Sequence, residues 1–212
     1  MLSHELKTIF VHIPKCAGQS VEQAFLNEMK LTWDLRHRLI LRKNDDRSLG
    51  PDRLAHLFAR EYYELGYVDK ITYDSYYKFS IVRNPIHRII SELNYRLTKE
   101  NEDSLSHKVN SIEEYVEKAI TLNKMSDRYR HVCRQTEYVF DCSNRMIVDD
   151  IIKFEGLPLA FSKINMRKFD GRLALLKRNV TETKKWRVDE IKESDINFIA
   201  DFYKEDFITF NY

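Results

Sequence analysis

The sequence predicts an α/β fold in which a central, mostly parallel sheet is flanked by helices in three layers. Two strand-turn-helix units, at residues 8–29 and 76–97, carry this prediction. In each unit an apolar, β-rich run is followed by a sharp turn and then by apolar residues at helical spacing. Because parallel strands need crossover connections, such units favour a parallel sheet with helices on its faces.

The first unit places a short turn before a helix. The run from Ile9 to Ile13 is β-branched and aromatic, which is typical of a buried strand, and Pro14 ends the pairing. Ser20 opens an S-x-x-Q capping-box pattern that predicts a helix start. Residues 15–19 are therefore expected at a helix N-terminus, where unpaired N–H groups and the helix dipole favour an anion. Gly18 would let the backbone approach that anion closely.

The order of residues in this turn differs from that of the nucleoside-triphosphate P-loop. The P-loop motif reads G-x-x-x-x-G-K-[ST], with a hydroxyl directly after the lysine to hold magnesium. Here Lys15 precedes Gly18 by three positions, and Cys16 follows the lysine. The anion could be a phosphate or a phosphosulfate, and the alternative is a βα turn whose lysine is merely solvated.

The second unit has the strongest strand signal in the chain, Tyr76 to Val82, which leads into an Arg-Asn-Pro turn. Pro85 favours a helix start, and an apolar stripe at i, i+3, i+4 and i+7 follows. Arg83 thus lies at the end of a strand, and Ser91 lies two turns into the helix. Open α/β sheets bind ligands at the carboxyl ends of strands, so both units should deliver polar groups to the same edge. Arg88 has either a surface or a ligand role.

Together, HIPKCAGQS and FSIVRNPIHRIIS resemble the two cofactor motifs of the sulfotransferase superfamily. The resemblance is to the carbohydrate sulfotransferase type, which includes uronyl 2-O-sulfotransferases and many bacterial members, and it extends over most of the chain. It implies a P-loop-like fold with 3′-phosphoadenosine-5′-phosphosulfate (PAPS) as co-substrate and no required metal. The chain departs from the pattern at Cys16 and Gln19, where such loops often carry threonine.

The resemblance implies a role for each motif. The first resembles a 5′-phosphosulfate-binding loop, in which Lys15 would place its charge on the bridging oxygen of the leaving nucleotide. The second resembles a 3′-phosphate-binding segment, in which Arg83 and Ser91 would bind the phosphate. The residues so assigned to the co-substrate are Pro14, Lys15, Cys16, Ala17, Gly18, Gln19, Ser20, Arg83 and Ser91.

Sulfuryl transfer to a hydroxyl also needs a base, and histidine is the usual choice at neutral pH. His56 is the candidate because it lies between the two motifs, where a histidine in similar sulfotransferases resembles the acceptor-deprotonating base. The alternative is an ordinary surface histidine. We interpret His12, in the first strand, as a buried, hydrogen-bonded histidine, whereas His87, His107 and His131 have no further support.

The composition fits one domain, residues 1–212, without a membrane span. Of the 212 residues, 43% are hydrophobic and 32% are charged, as in an ordinary globular protein. Three cysteines without metal-ligand spacing favour a reducing compartment, so the cytoplasm is the expected location. The alternative is a soluble catalytic domain cut from a lumenal, membrane-anchored enzyme. A net charge of +2 is too small to indicate bulk nucleic-acid binding.

Positive charge is concentrated between residues 30 and 60, a segment that contains eight lysines and arginines but only four aspartates. Arg36, Arg38 and Arg42 could meet carboxylates or sulfates on a sugar chain, and Trp33 could stack on a sugar ring. The expected acceptor is therefore an anionic or uronic-acid-containing glycan rather than a phenol or steroid. The alternative for this segment is a solvated loop of mixed charge.

Two other functions stay open. Residues 146–149 form an apolar run ending in Asp149 that imitates a Walker B strand, as in a nucleotide kinase or NTPase. A glycan-binding module on a decayed sulfotransferase fold is the third possibility.

Further segments receive weaker assignments. A Ser111 capping box predicts a helix over Ile112 to Ile120 that supports the core. The resemblance implies that Lys177, Arg178, Asn179 and Lys184 to Arg187 close over the nucleotide. Gln135 and Tyr138 recur in similar proteins without an assignable role.

Overall fold

The computed structural model describes residues 1–100, 104–175 and 186–212, and it contains the predicted α/β fold. The sheet has the order β1-β2-β3-β4, with strands Leu2–Ser3, Thr8–Val11, Tyr77–Val82 and Asp150–Lys153. β1 is antiparallel to β2, whereas β2, β3 and β4 are mutually parallel. The prediction of a central, mostly parallel sheet is confirmed.

The α-helices follow one another along the chain as α1 (Gly18–Glu28), α2 (Glu61–Glu64), α3 (Lys70–Ser75), α4 (Pro85–Lys99), α5 (Leu105–Lys108), α6 (Ile112–Ile120), α7 (Asp127–Val132), α8 (Thr136–Val139), α9 (Leu157–Phe169), α10 (Glu193–Phe202) and α11 (Lys204–Phe210). Short 3₁₀ turns at Trp33–Leu39, Arg47–Leu49 and Leu54–His56 lie between α1 and α2. Within the described part of the chain, no helix is both long and apolar enough to cross a bilayer.

Helices lie on both faces of the sheet. The ring of Phe79 on β3 packs against Phe25 of α1 and Phe161 of α9, with both centroid distances 6.5 Å. Successive side chains on a strand point to opposite faces, so Lys78 faces the other way, and its ammonium lies over the ring of Tyr73 on α3. This alternation produces the predicted three layers.

The first strand-turn-helix unit is present, but its helix begins earlier than predicted. α1 starts at Gly18, and the residue before it, Ala17, has a left-handed backbone with φ 64° and no side-chain cap. Ser20 is already inside the first turn, so the predicted capping box is wrong. The backbone turn at Ala17, rather than a serine hydroxyl, sets where this helix begins.

The second unit matches its prediction closely. α4 begins at Pro85, and the side chain of Asn84 caps it by accepting from Ile86 N at 3.0 Å. Ile89 and Leu93, on the predicted apolar stripe, are buried. They belong to a second apolar cluster formed by α4, α6 and α10. The predicted cap of α6 is confirmed in part: Ser111 Oγ accepts from the Glu114 N–H at 3.1 Å, but the Glu114 side chain accepts from Asn110 N rather than from Ser111 N.

Arg88 has neither of its predicted roles, because it is buried and bonded to backbone carbonyls. Its Nε donates to Pro14 O at 3.2 Å, its Nη1 to Cys133 O at 2.8 Å and its Nη2 to His131 O at 2.9 Å. The side chain is 2% exposed. Arg88 therefore ties the turn after β2 to the end of α7 and the residue that follows it.

We expect Arg88→Met to destabilise the protein by at least about 3 kcal/mol, since three buried carbonyl oxygens would each lose a donor. The exposed Arg38 offers a matched control, and Arg38→Met should change stability by no more than about 0.5 kcal/mol. Denaturant unfolding of both variants measures the difference. Equally small losses of stability in the two variants would show that Arg88 does not stabilise the fold.

Candidate active site

One cavity of about 2350 Å³ opens at the carboxyl ends of β2 and β3. Most of the residues predicted to bind the co-substrate or to take part in catalysis line this cavity. Those in its wall are Pro14, Lys15, Ala17, Gly18, Gln19, Ser20, His56, Arg83 and Ser91. The side chain of Cys16 is instead buried beneath the turn, so only its backbone N–H is left for a ligand.

The turn from Pro14 to Ala17 is strained in a way that suits an anion. Lys15 and Ala17 both have left-handed backbones, with φ 68° and φ 64°, although neither is glycine. Such conformations cost about 1–3 kcal/mol each and cluster at ligand clamps. They shape concave backbone sites for anions, and the positive end of the α1 dipole lies at the same place.

Gly18 is required by a close approach to His12. A Cβ built on Gly18 would lie 2.0 Å from His12 Cδ2 and Nε2, so no side chain fits there. On the other edge of the ring, His12 Nδ1 bonds Glu22 Oε1 at 2.6 Å, and both residues are buried. The interpretation of His12 as a buried, hydrogen-bonded residue is confirmed, and its ring supports the turn from below.

We expect Gly18→Ala to cost about 1–3 kcal/mol of stability, because the turn or the His12 ring must shift. In a His12→Ala background the ring is gone, so the same substitution should cost at least about 1 kcal/mol less. Gly156→Ala serves as control, since a Cβ there meets nothing within 4 Å. Thermal unfolding of the double-mutant cycle measures the coupling, and strictly additive losses would contradict it.

Lys15 lies against an aromatic ring at the cavity wall. Its ammonium is 3.9 Å from the centroid of Tyr95 on α4, a cation–π contact that the sequence did not reveal. Burial lowers the pKa of Lys15 to about 8. The ammonium is therefore mostly charged at neutral pH, and its partial desolvation strengthens its attraction for an anion.

Arg83 meets the first turn directly, which confirms that both units deliver polar groups to one edge. Its Nη1 donates to Lys15 O at 3.1 Å, and its guanidinium carbon lies 4.3 Å from the centroid of Phe154. Its Nε is buried without a hydrogen-bond partner among the described residues. A buried, unpaired donor on a charged group is costly, and a phosphate oxygen would satisfy it. The residues at this end of the cavity therefore fit a phosphorylated nucleotide.

Gln135, which had no assignable role in the sequence analysis, holds the two turns together. Its Oε1 accepts from Arg83 N at 2.9 Å and from Cys16 Sγ at 3.5 Å. Its Nε2 donates to Arg83 O at 2.9 Å and to Asp206 Oδ2 at 3.3 Å. Burial raises the pKa of the Cys16 thiol to about 12, so Cys16 stays a neutral donor. The change from threonine at Cys16 thus serves the packing beneath the turn.

His56 is not an ordinary surface histidine. It is 6% exposed, and its Nδ1 lies 3.2 Å from Asp127 Oδ1 at the start of α7. Burial lowers the pKa of His56 to about 3 despite the nearby carboxylate. The ring is therefore neutral at physiological pH, as a proton acceptor must be.

His131 joins His56 in this cluster, although no sequence pattern supported a role for His131. The two rings lie 5.0 Å apart, and His131 Nε2 is 3.5 Å from Asp127 Oδ1. Asp127 and His131 are four residues apart on α7, a spacing that places both on one helix face. That spacing is the signal that could have identified the pair.

The ligand atoms of His56, Asp127 and His131 lie within 4.8 Å of one another, close enough to hold a metal ion. The surroundings oppose a cation, however. Arg96 Nη2 is 3.0 Å from Asp127 Oδ2, and Arg53 Nε is 3.4 Å from Asp127 Oδ1. The carboxylate is already neutralised by two guanidinium groups, which would repel a divalent ion.

The basic segment reaches the cavity through other residues than those predicted. Trp33 and Arg53 line the wall, whereas Arg36, Arg38 and Arg42 are outside it. The guanidinium of Arg36 lies over the Trp33 ring, 5.0 Å from its centroid. The part of this segment that reaches the cavity wall is therefore Trp33 and Arg53, and a role for Arg36, Arg38 and Arg42 in binding a sugar chain stays a prediction.

The Walker B interpretation of Asp149 also fails. Asp149 precedes β4, and its Oδ2 accepts from the N–H of Lys78 at the start of β3, at 2.7 Å. It therefore lies at the amino ends of the parallel strands, the edge opposite to Lys15 and Arg83. A Walker B aspartate must reach the phosphates, which this position does not allow.

Residues 177–179, 184 and 185 lie outside the described residues. Trp186 and Arg187, from the same predicted segment, line the cavity. The Trp186 backbone pairs with the Asn94 side chain of α4, with Nδ2 donating to Trp186 O at 2.9 Å and Trp186 N to Oδ1 at 3.0 Å.

Comparison with known proteins gave one match. A family model described as "Sulfotransferase family" matches residues 1–150, a range that contains both turns, His56, Asp127 and Gln135. No curated protein and no solved structure matched the chain.

Proposed function

The chain belongs to the sulfotransferase family, and we propose that it transfers the sulfuryl group of PAPS to a hydroxyl of a carbohydrate. The observation that carries this proposal is the 3.1 Å contact between Arg83 and Lys15, which joins two anion-binding turns in one cavity. His56 lies in the wall of the same cavity. The site therefore offers two anion positions and a neutral base.

Each end of the cavity has a proposed ligand. The backbone N–H groups of residues 16–20 and the Lys15 ammonium bind the phosphosulfate. Arg83 and Ser91 bind the 3′-phosphate, which supplies the missing partner of Arg83 Nε. Phe154 lies beneath the Arg83 guanidinium and lines the cavity, where it is available to the nucleoside.

The chemistry is an in-line displacement. PAPS, when bound, supplies the sulfuryl group and a nucleotide leaving group. His56 accepts the proton of the acceptor hydroxyl at Nε2 while the hydroxyl oxygen bonds to sulfur and the bond from sulfur to the bridging oxygen breaks. Lys15 stabilises the negative charge that develops on the bridging oxygen. In this proposal the cationic side chains and N–H groups stabilise the charge, and no metal is required.

We expect the protein to transfer labelled sulfate from PAPS to a glycan, and His56→Ala to lower kcat by 10²- to 10⁴-fold, on the order expected for a general base. Binding of adenosine 3′,5′-bisphosphate should be intact in that variant. The exposed His37 offers the control variant His37→Ala, which should keep full activity. Absence of transfer to any hydroxyl acceptor would instead favour the glycan-binding alternative.

We expect adenosine 3′,5′-bisphosphate to bind much more tightly than AMP, because only the former has the phosphate assigned to Arg83. Charge-assisted contacts contribute about 1.5–3 kcal/mol, so Arg83→Ala should weaken its binding at least about tenfold and weaken the binding of AMP by a smaller factor, through the lost bond to Lys15 O. Calorimetry measures both affinities, with Arg145→Ala as an exposed control. Equal affinities of the wild type for the two nucleotides would refute the assignment.

We propose an anionic acceptor, because Arg53 and Lys99 line the same cavity as His56 and Trp33. Partly exposed charges are screened by salt, with a Debye length of about 8 Å at physiological ionic strength. The KM for a uronic-acid glycan should therefore rise with salt and rise in Arg53→Ala, but not in Arg38→Ala. Preference for a neutral acceptor, or a salt-independent KM, would contradict the proposed anionic acceptor but not the proposed sulfuryl transfer.

We also propose that residues 1–212 form one domain. Asp206 of α11 accepts from the backbone N–H groups of Gln135 and Thr136, so the end of the chain supports the site. A cytoplasmic location stays a prediction from cysteine content.

A further inference from the structure

Asp127 is the centre of a buried group of charges behind His56. Its Oδ1 faces His56 Nδ1 at 3.2 Å and His131 Nε2 at 3.5 Å, and its Oδ2 accepts from Arg96 Nη2 at 3.0 Å. Although burial raises the pKa of Asp127, the neighbouring His131 and the hydrogen bonds from His131 and His56 hold that pKa well below the usual range. Asp127 therefore faces His56 as a carboxylate.

A carboxylate only accepts hydrogen bonds, which determines where the proton of His56 lies. A neutral imidazole carries one N–H and one lone pair. With Nδ1 facing Asp127, the N–H is at Nδ1 and the lone pair is at Nε2. His56 lines the cavity, so Nε2 is the nitrogen available to an acceptor hydroxyl.

The carboxylate is held by a closed ring of contacts between two helices. Within α4, Arg96 Nε donates to Glu92 Oε1 at 2.5 Å. From α7, His131 Nδ1 donates to the other oxygen of the same carboxylate, Glu92 Oε2, at 2.5 Å. Arg96 and His131 both also face Asp127. Each helix contributes two residues at i, i+4, namely Glu92 and Arg96 on α4 and Asp127 and His131 on α7. The closed ring of contacts fixes the positions of all four side chains.

The backbone of Asp127 is anchored as well. Its N–H donates to Asp52 Oδ2 at 2.9 Å, in the segment that leads to His56. The bond connects the start of α7 with the chain just before the 3₁₀ turn that ends at His56. Both His56 and its carboxylate are thereby fixed relative to each other before any ligand binds.

We propose that Asp127 is a positioning residue that keeps His56 in the tautomer with a free Nε2, and that the ring of Glu92, Arg96 and His131 holds Asp127 in place. The inference rests on the proposed role of His56 as the base. When His56 takes the proton of the acceptor hydroxyl, its imidazolium lies beside the Asp127 carboxylate and is stabilised by it. Asp127 itself does not touch the reacting atoms.

The test combines the tautomer of His56 with kinetics. In ¹⁵N-labelled wild type, long-range ¹⁵N–¹H NMR should show His56 protonated at Nδ1 and not at Nε2. In Asp127→Asn the amide can present either its oxygen or its NH₂ group, so the single tautomer should be lost. We expect kcat to fall on the order of 10²-fold, with the KM for PAPS and the affinity for adenosine 3′,5′-bisphosphate unchanged.

Glu137→Gln is the matched control, since Glu137 accepts from Tyr129 of the same helix α7 without contacting His56. It should change neither the tautomer nor kcat. A wild type that transfers sulfate with His56 protonated at Nε2 would overturn the role of Asp127 even if Asp127→Asn does not fold. An unchanged tautomer and kcat in a folded Asp127→Asn variant would overturn it too. Absence of transfer by a wild type whose His56 is protonated at Nδ1 would instead overturn the proposed function.

Discussion

The structure depends on the hydrogen bonds by which Gln135 holds the backbone of Arg83. One side chain satisfies both the N–H and the C=O of the residue that follows β3, and it also accepts from Cys16 in the turn that follows β2. Two turns that are 68 residues apart in sequence are thereby held as one surface. Arg88 adds a second connection from α4 to the carbonyl of Pro14. Without these bonds, the parallel strands would still pair, but the spacing between the two anion positions would not be fixed.

The burial of Lys15 and Arg83 makes this surface favour an anionic ligand. It lowers the pKa of Lys15 to about 8 and lowers the pKa of Arg83 below its usual value, which means that desolvation destabilises both cations. A bound anion offsets that cost by pairing with the same charges in a region of low dielectric constant. Since His56 is kept neutral nearby, the cavity combines buried cations with a neutral imidazole, which is the base in the proposed mechanism. The cost of burying the cations is thus linked to the affinity of the site for its ligand.

Local patterns predicted the fold, and most of the residues that they singled out lie in one cavity, whereas contacts between distant segments could not be predicted. Apolar periodicity correctly indicated β3 and α4, and the order of the motif correctly placed Lys15 and Arg83 at one sheet edge. Ser20 failed as a cap because the left-handed turn at Ala17 begins α1 earlier. Asp127 was missed because its partner His56 is 71 residues away, and nothing local in the sequence indicates such a contact. Long-range side-chain pairs depend on the packed fold, which a single sequence does not specify.

The central claim is that the two turns bind the two ends of one nucleotide. A crystal structure of the protein with adenosine 3′,5′-bisphosphate tests it most directly. We expect the 5′-phosphate on the N–H groups of residues 16–20 beside Lys15, and the 3′-phosphate bonded to Arg83 Nε and Ser91 Oγ. A nucleotide bound elsewhere, or one whose 3′-phosphate leaves Arg83 Nε unpaired, would contradict it.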